Sequence, residues 1–257
     1  MQSLLVDTHA HLCDRAFDHD RGEVIRRAQQ AGVGAVVIVG ETLEDARRNL
    51  VLSLEYPCLK PAAGLYPEYA DIEEAARIIA FIRHHADSLC AVGEVGLDFR
   101  IAEEDAARDL QRTVFRQFIE LAKELDLPLN VHSRSAGRHA VAMLLESGAS
   151  RVQMHAFDGR AFAALPAVEA GFFFSVPPSV VRSRQKQKLV KHLPLSCLLV
   201  ESDSPVLGPD PEQRNEPVNV VAAVKAIAGI GGISSEEVEE AVRENTRNLY
   251  GDFLARR

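Results

Sequence analysis

The amino-acid sequence predicts an α/β protein of the (β/α)8 TIM-barrel class, and three observations carry that expectation. Eight short apolar runs alternate with stretches of helical periodicity, the pattern of a parallel sheet wrapped in helices. At 257 residues the chain has the usual size of such a barrel, so one domain covering 1–257 is expected. His9, His11, Glu94, His132, His155 and Asp203 each fall inside or at the C-terminal end of a predicted strand, and in a barrel those ends converge on one mouth. An open doubly wound sheet is the alternative topology.

The first strand is Leu4-Leu5-Val6 running into Asp7, His9 and His11. Asp20–Ala31 reads as a helix, with Val24, Ile25 and Ala28 at helical spacing and Gly32 as its C-cap. Gly34–Val39 is uninterruptedly apolar, as a strand buried on both faces must be. Helix Thr42–Glu55, strand Leu59–Gly64, helix Asp71–Ala86 and strand Leu89–Val95 follow. Next come the long helix Glu103–Leu125, the strand Pro128–Val131 ending in His132, a helix from Ser135 to Glu146 and the strand Arg151–His155. The helix Ala161–Ala170, strand Phe172–Val176, helix Ser179–His192 and strand Ser196–Glu201 complete the eightfold alternation. Two helices, Pro217–Ile227 and Ser234–Asn245, finish the chain.

Composition narrows the function classes. No apolar run approaches the roughly twenty residues of a membrane span, and Met1-Gln2-Ser3 enters a strand at once, leaving no secretory signal, so a cytoplasmic protein is expected. Cys13, Cys58, Cys90 and Cys197 are far apart and form no C-x-x-C pair, which fits reduced packing thiols rather than a disulfide framework or a thiolate zinc site. The net charge of −8 argues against non-specific coating of nucleic acid, whose affinity comes from Lys and Arg on phosphates. No obligate protein partner is evident.

Residues two apart on a strand share a face, so Asp7, His9 and His11 are expected to aim at one point. Imidazole and carboxylate suit a divalent ion such as zinc or manganese, and two desolvated rings side by side ask for something to bridge them. Glu94 lies inside the apolar run Ala91-Val92-Gly93-Glu94-Val95, where an unpaired carboxylate would have to neutralise itself unless a cation stood beside it; there it can bridge two metals. Asp203, after strand eight, is placed both to hold a metal and to take a proton from water. Arg134, Arg138, Arg160 and Arg214 lie in segments following strands and are candidate phosphate contacts. The basic run Arg182–Lys188 reads equally as a nucleic-acid track or a solvated helix face. His84, His85, His139 and His192 on predicted helices, and His19 in a loop, read as solvated.

Taken in order, Asp7-Thr8-His9-Ala10-His11, Gly93-Glu94-Val95-Gly96-Leu97-Asp98, Val131-His132-Ser133-Arg134, Met154-His155-Ala156-Phe157-Asp158-Gly159, Glu201-Ser202-Asp203-Ser204-Pro205 and Arg214-Asn215-Glu216-Pro217 resemble the successive motifs of the TatD-related metal-dependent deoxyribonucleases. The stretches 130–138 and 182–191 look most like one subtype of that family. The resemblance implies a barrel hydrolase with two divalent ions, magnesium, manganese or zinc. It assigns His9, His11 and Asp203 to one ion, Glu94 to a bridge, and His132 and His155 to the other. Its substrate is implied to be DNA, cleaved as by an exonuclease with a metal-activated water, Asp203 and Glu94 being the catalytic pair. One departure stands out: the family's Gly-x-His-Pro after strand three is here Gly64-Leu65-Tyr66-Pro67, so Tyr66 becomes the candidate phosphate contact, able to donate one hydrogen bond but no imidazolium charge. Hydrolysis of a small amide, ester or lactone, and a catalytically weak metal-stabilised binding protein, are the rival readings.

Overall fold

The computed structural model describes residues 5–251; Leu4, expected to open the first strand, and Met1–Ser3 lie outside them. Eight parallel strands follow one another around the sheet in sequence order: β1 (Leu5–Ala10), β2 (Val33–Ile38), β3 (Leu59–Ala63), β4 (Ala91–Gly96), β5 (Leu129–His132), β6 (Val152–Met154), β7 (Phe173–Val176) and β8 (Leu198–Val200). Between them run α1 (Arg21–Gln30), α2 (Leu43–Glu55), α3 (Ile72–His84), α4 (Asp105–Leu125), α5 (Gly137–Glu146), α6 (Ala161–Glu169) and α7 (Arg184–His192). Two further helices, α8 (Val220–Gly231) and α9 (Ser235–Tyr250), follow β8. The result is the (β/α)8 barrel, and no single helix among the described residues is long and apolar enough to cross a membrane.

Local chemistry sets the helix starts. Thr42 with Asp45 and Ser234 with Glu237 form reciprocal capping boxes at α2 and α9, while Asp71 accepts from the Glu74 amide at α3. The helix expected over Ser179–His192 is divided: Pro178–Val181 forms one tight turn, and α7 starts only after Ser183, whose hydroxyl accepts from the Lys186 amide. Pro177 and Pro178 lack the donors and fix the backbone that would carry a helix back into β7, and Ser183 supplies the cap three residues before Lys186. The last helix outruns its expected end at Asn245 and continues to Tyr250, because Leu249 and Tyr250 still bury their side chains.

Two apolar layers result. The larger lies between strands and helices; the smaller, inside the barrel, is built from Val6, Ala35, Val37, Ala62, Ala91 and Leu199 with Tyr250 packed among them. Such small side chains leave room for polar groups, and the Tyr250 hydroxyl donates to Gln153 Oε1 at 2.5 Å while accepting from Asn130 Nδ2 at 3.2 Å. Close backbone approach at the mouth needs glycine: a Cβ on Gly96, whose φ is +146°, would sit 2.0 Å from the His132 carbonyl, and one on Gly64 would sit 2.4 Å from the Glu94 carbonyl.

Among the described residues β8 and β1 share no regular ladder. Their seam is closed by the Asp203 amide to His9 O (2.9 Å), the His11 amide to Ser204 O (2.8 Å), Thr8 Oγ1 to Val200 O (3.0 Å) and the Ser202 amide to Asp7 Oδ1 (2.8 Å). These bonds carry the turn after β8 onto the end of β1.

Candidate metal centre

His9, His11, Glu94, His132, His155 and Asp203 meet at the C-terminal mouth. His9 Nε2 and His11 Nε2 stand 3.2 Å apart, and Asp203 Oδ1 lies 3.5 and 3.6 Å from them. The Glu94 carboxylate is divided between two imidazole pairs: Oε2 faces His9 (3.7 Å) and His11 (3.4 Å), whereas Oε1 faces His132 Nδ1 (2.7 Å) and His155 Nε2 (3.1 Å). The His9 and His155 rings stack at 3.9 Å, so one wall of the cluster is continuous. Asp203 sits in the left-handed region at φ +53°, a conformation Asp tolerates, held by its amide bond to His9 O. Asp7, expected beside the two histidines, turns away: Oδ1 accepts from the Ser202 and His9 amides, so its carboxylate serves the seam.

A second ring of residues faces the outer nitrogens of three of the four imidazoles, those of His9, His132 and His155. Asn130 Nδ2 donates to Thr8 O, which leaves Oδ1 to accept from His9 Nδ1 at 2.8 Å and sets the His9 Nε2 lone pair toward the cluster. Asp98 Oδ2 lies 3.1 Å from His132 Nε2, turning Nδ1 inward. Glu201 Oε2 stands 3.5 Å from His155 Nδ1 and accepts from Ser175 Oγ at 2.6 Å. None of these three was singled out from sequence as a site residue. Asn130, Glu201 and also Gln153 are polar groups within or at the end of apolar strands and could have been found by that signal; Asp98 lies just past its strand.

The charge state of the cluster tests whether a cation fits. Burial, helped by the neighbouring His155, pushes His9 down to about 4, so it is a neutral ligand-type imidazole near neutral pH. Burial also disfavours charge on His11, but the Asp203 hydrogen bond and Glu94 outweigh it and lift His11 to about 9. For Glu94, burial is overcome by His155 and His132, which hold the carboxyl well below its usual range. Glu94 and Asp203 therefore demand positive charge at this point, as protons on the rings or as metal, and a cation entering would release those protons. His9, Glu94 and His155 form one set of close ligand atoms, and His9, His11 and Asp203 another. Inward nitrogen and oxygen lone pairs, with the outer nitrogens of His9 and His132 hydrogen-bonded and that of His155 facing Glu201, suit a divalent ion of the zinc or manganese type.

Above the cluster opens a cavity of about 700 Å³. Glu41, Glu68 and Tyr66 stand on its wall together with Arg134 and Lys186. Of the arginines expected at the mouth, Arg134 is there, but Arg138, Arg160 and Arg214 are not among the lining residues. Arg214 is committed elsewhere: it pairs with Asp20 at 2.6 Å and Glu216 at 3.1 Å and lies over the Phe17 ring. The basic run is divided too, Arg184 and Lys188 pointing to solvent while Lys186 turns into the cavity. His19, His84, His139 and His192 are exposed and His85 half-buried, as expected of histidines away from the site.

The family model described as TatD related DNase matches residues 6–251. The chain belongs to that family. Among TatD relatives, it is 45% identical to the human deoxyribonuclease TATDN3 over 96% of this chain and 94% of that protein, and 34% identical to the Bacillus subtilis metal-dependent hydrolase YabD over 96% and 99%. The crystal structure of the TatD homologue YJJV from Escherichia coli K12 superposes with a TM-score of 0.89 at 27% identity, covering 97% of this chain and 99% of that one. TatD domain-containing protein 3 is the subtype that the stretches 130–138 and 182–191 resemble. In this TatD chain the departure at Tyr66 has a structural consequence: its hydroxyl donates to Asp98 Oδ2 at 3.1 Å, the same oxygen that faces His132 Nε2. The Tyr66 proton is thus engaged with a carboxylate that orients a cluster imidazole.

Proposed function

We propose that the protein is a phosphodiester hydrolase acting on DNA with two divalent ions at the barrel mouth. The observation that carries this reading is the division of the Glu94 carboxylate, one oxygen toward the His9–His11 pair and the other toward the His132–His155 pair. In the proposed assignment His9, His11 and Asp203 hold one ion, His132 and His155 the other, and Glu94 both; the magnesium, manganese and zinc ions are all compatible with this donor set. Such a pair of ions would lower the pKa of water and neutralise charge on the attacking and leaving oxygens of a phosphodiester.

This chain's residues do the rest. The Asp203 carboxylate, on the cavity wall, receives the proton of the attacking water. Asn130, Asp98 and Glu201 hold three imidazoles in register so that they need not reorganise during the reaction. Arg134 and Tyr66, both on the wall, are assigned to the substrate; Arg138 and Arg160 can serve only a strand extending beyond the cavity. DNA as substrate is supported by the name of the human relative, and a reducing compartment such as the cytoplasm by four free cysteines.

The test is metal-analysed protein on defined single- and double-stranded oligonucleotides. Nucleotide release that stops with chelator and returns with metal is expected, and Glu94→Gln should hold about half the metal and turn nothing over. A fully metal-loaded parent inert on every oligonucleotide, or Glu94→Gln with full metal and normal turnover, refutes the proposal.

A further inference from the structure

We infer that Lys186 is the anchor for a phosphate group bound in the mouth cavity, engaging that phosphate through its ammonium from the wall formed by α7. The inference deepens the hydrolase reading and rests on it for the chemical class of the ligand.

Lys186 belongs to the basic run Arg182–Lys188, yet it is only 9% exposed while its neighbours Arg184 and Lys188 face solvent. Its burial follows from how α7 begins. Ser183 caps the helix on the Lys186 amide, and Gln185 Nε2 donates to Gly159 O at 2.7 Å, which ties the first turn of α7 to the loop after β6. That docking aims the Lys186 stem at the cavity, which it lines with Ala156, Asp158 and Asp203. Nζ donates to Ala156 O at 2.9 Å. Among the described residues no carboxylate lies within ion-pairing distance of it, and Ala156 O is its one hydrogen-bond acceptor. An ammonium has three donors, so two are left for a ligand in a place where a lysine is costly to bury without an anion.

The surroundings say what the anion is not. Glu201, Asp203 and Asp158 act on Lys186 at longer range and partly offset the burial that draws its pKa down. None is close enough to satisfy it, and Glu94 and Asp203 are already engaged with imidazoles. Glu41, Glu68 and Asp158, also on the cavity wall, repel an anion, so Arg134 and Lys186 are the lining side chains of fixed positive charge that attract one. A phosphodiester lying against the Glu94 cluster meets Lys186 on the Ala156 side. The sequence neighbour matters as well: Ala156, at φ +41°, follows His155 directly, so the lysine that takes the phosphate also braces the turn behind a cluster imidazole.

A purely structural brace is therefore the competing explanation, and the test separates the two. Lys186→Met keeps the apolar stem and removes the charge; Lys186→Arg restores charge. Metal content and thermal midpoint are measured first, then affinity of the metal-loaded proteins for inorganic phosphate, for a phosphorothioate oligonucleotide, which is charged and resists cleavage, and for its uncharged methylphosphonate counterpart. Loss of a charged hydrogen bond to phosphate predicts about a tenfold to hundredfold weaker binding of the charged probes by Lys186→Met, unchanged methylphosphonate binding, and partial recovery in Lys186→Arg. Weakening confined to the oligonucleotide assigns the site to the backbone; weakening confined to inorganic phosphate assigns it to a free or terminal phosphate. Equal affinity of parent and Lys186→Met for both charged probes overturns the inference, as does loss of metal or of thermal stability with the charged-to-uncharged ratio intact. Because binding is read without turnover, the role of Lys186 is tested even in a protein that cleaves no DNA.

Discussion

Asn130→Ala is the sharpest probe of the centre, because Asn130 touches neither substrate nor metal position. Asn130 is wholly buried on β5 and makes three hydrogen bonds: accepting from His9 Nδ1 at 2.8 Å and donating to Thr8 O at 3.0 Å and Tyr250 Oη at 3.2 Å. Truncation leaves the His9 Nδ1 proton unpaired in a fully buried site, at a cost of about 1–3 kcal/mol. Thr8 O keeps Gln153 Nε2 at 3.3 Å and the Tyr250 hydroxyl keeps Gln153 Oε1, so those two losses are ordinary ones of about 1 kcal/mol each. The sum is about 3–5 kcal/mol, read as the shift in urea unfolding of the metal-free protein. The second effect is separate: with its tautomer no longer fixed, His9 binds metal about 10–100-fold more weakly, read by competition with a calibrated chelator. A destabilised Asn130→Ala whose metal affinity stays within about threefold of the parent refutes the role given to His9 Nε2, leaving Asn130 as packing alone.

Two other outcomes are expected. Burial pushes the Asp7 carboxyl from 3.8 to about 8 against hydrogen bonds from Ser202 and the His9 amide, so the folded metal-free chain holds this proton more tightly than the unfolded one; its contribution is full below 3.8 and is lost as pH rises toward 8. Asp7→Asn carries no charge to bury, so its urea midpoint should gain on the parent between about pH 5 and 8, and a gap that does not widen with pH would contradict the assignment. Arg214→Ala, which removes the contacts to Asp20, Glu216 and the Phe17 ring, should lower stability by about 1 kcal/mol and leave the KM for an oligonucleotide unchanged; a raised KM at normal stability would return Arg214 to the substrate.

Strand-end chemistry was legible because period-two spacing and apolar runs are local properties. His9 and His11 do meet, and Glu94 does lie among the imidazoles, because a parallel barrel gathers every strand end at one mouth. Asp7 shares their spacing but not their direction, since its oxygen is claimed by an amide from the turn after β8, 195 positions away, and no local pattern encodes that claim. Among the arginines Arg134 does line the cavity, whereas Arg138 and Arg160, though they also follow strands, do not, because the reach of a side chain into the cavity depends on how the loop and helix after the strand are oriented. Arg214 was taken by Asp20 from across the chain. Lys186 went the other way, in a run that reads equally as a nucleic-acid track or a solvated face, and was turned inward by a cap and a glutamine.

The unladdered junction of β8 with β1 makes completion of the centre a late event in the chain's synthesis. When the ribosome has delivered residues as far as β7, five of the six clustered side chains already exist, but their sheet has two open edges. Only emergence of residues 198–204 lets the Asp203 and His11 amides find their acceptors across the gap. Until then the β1 edge that carries His9 and His11 lacks its partners from residues 203 and 204 and is open to a neighbouring strand. A chain ending before β8 accordingly lacks Asp203 and leaves two open sheet edges, the arrangement in which strands pair with neighbouring chains.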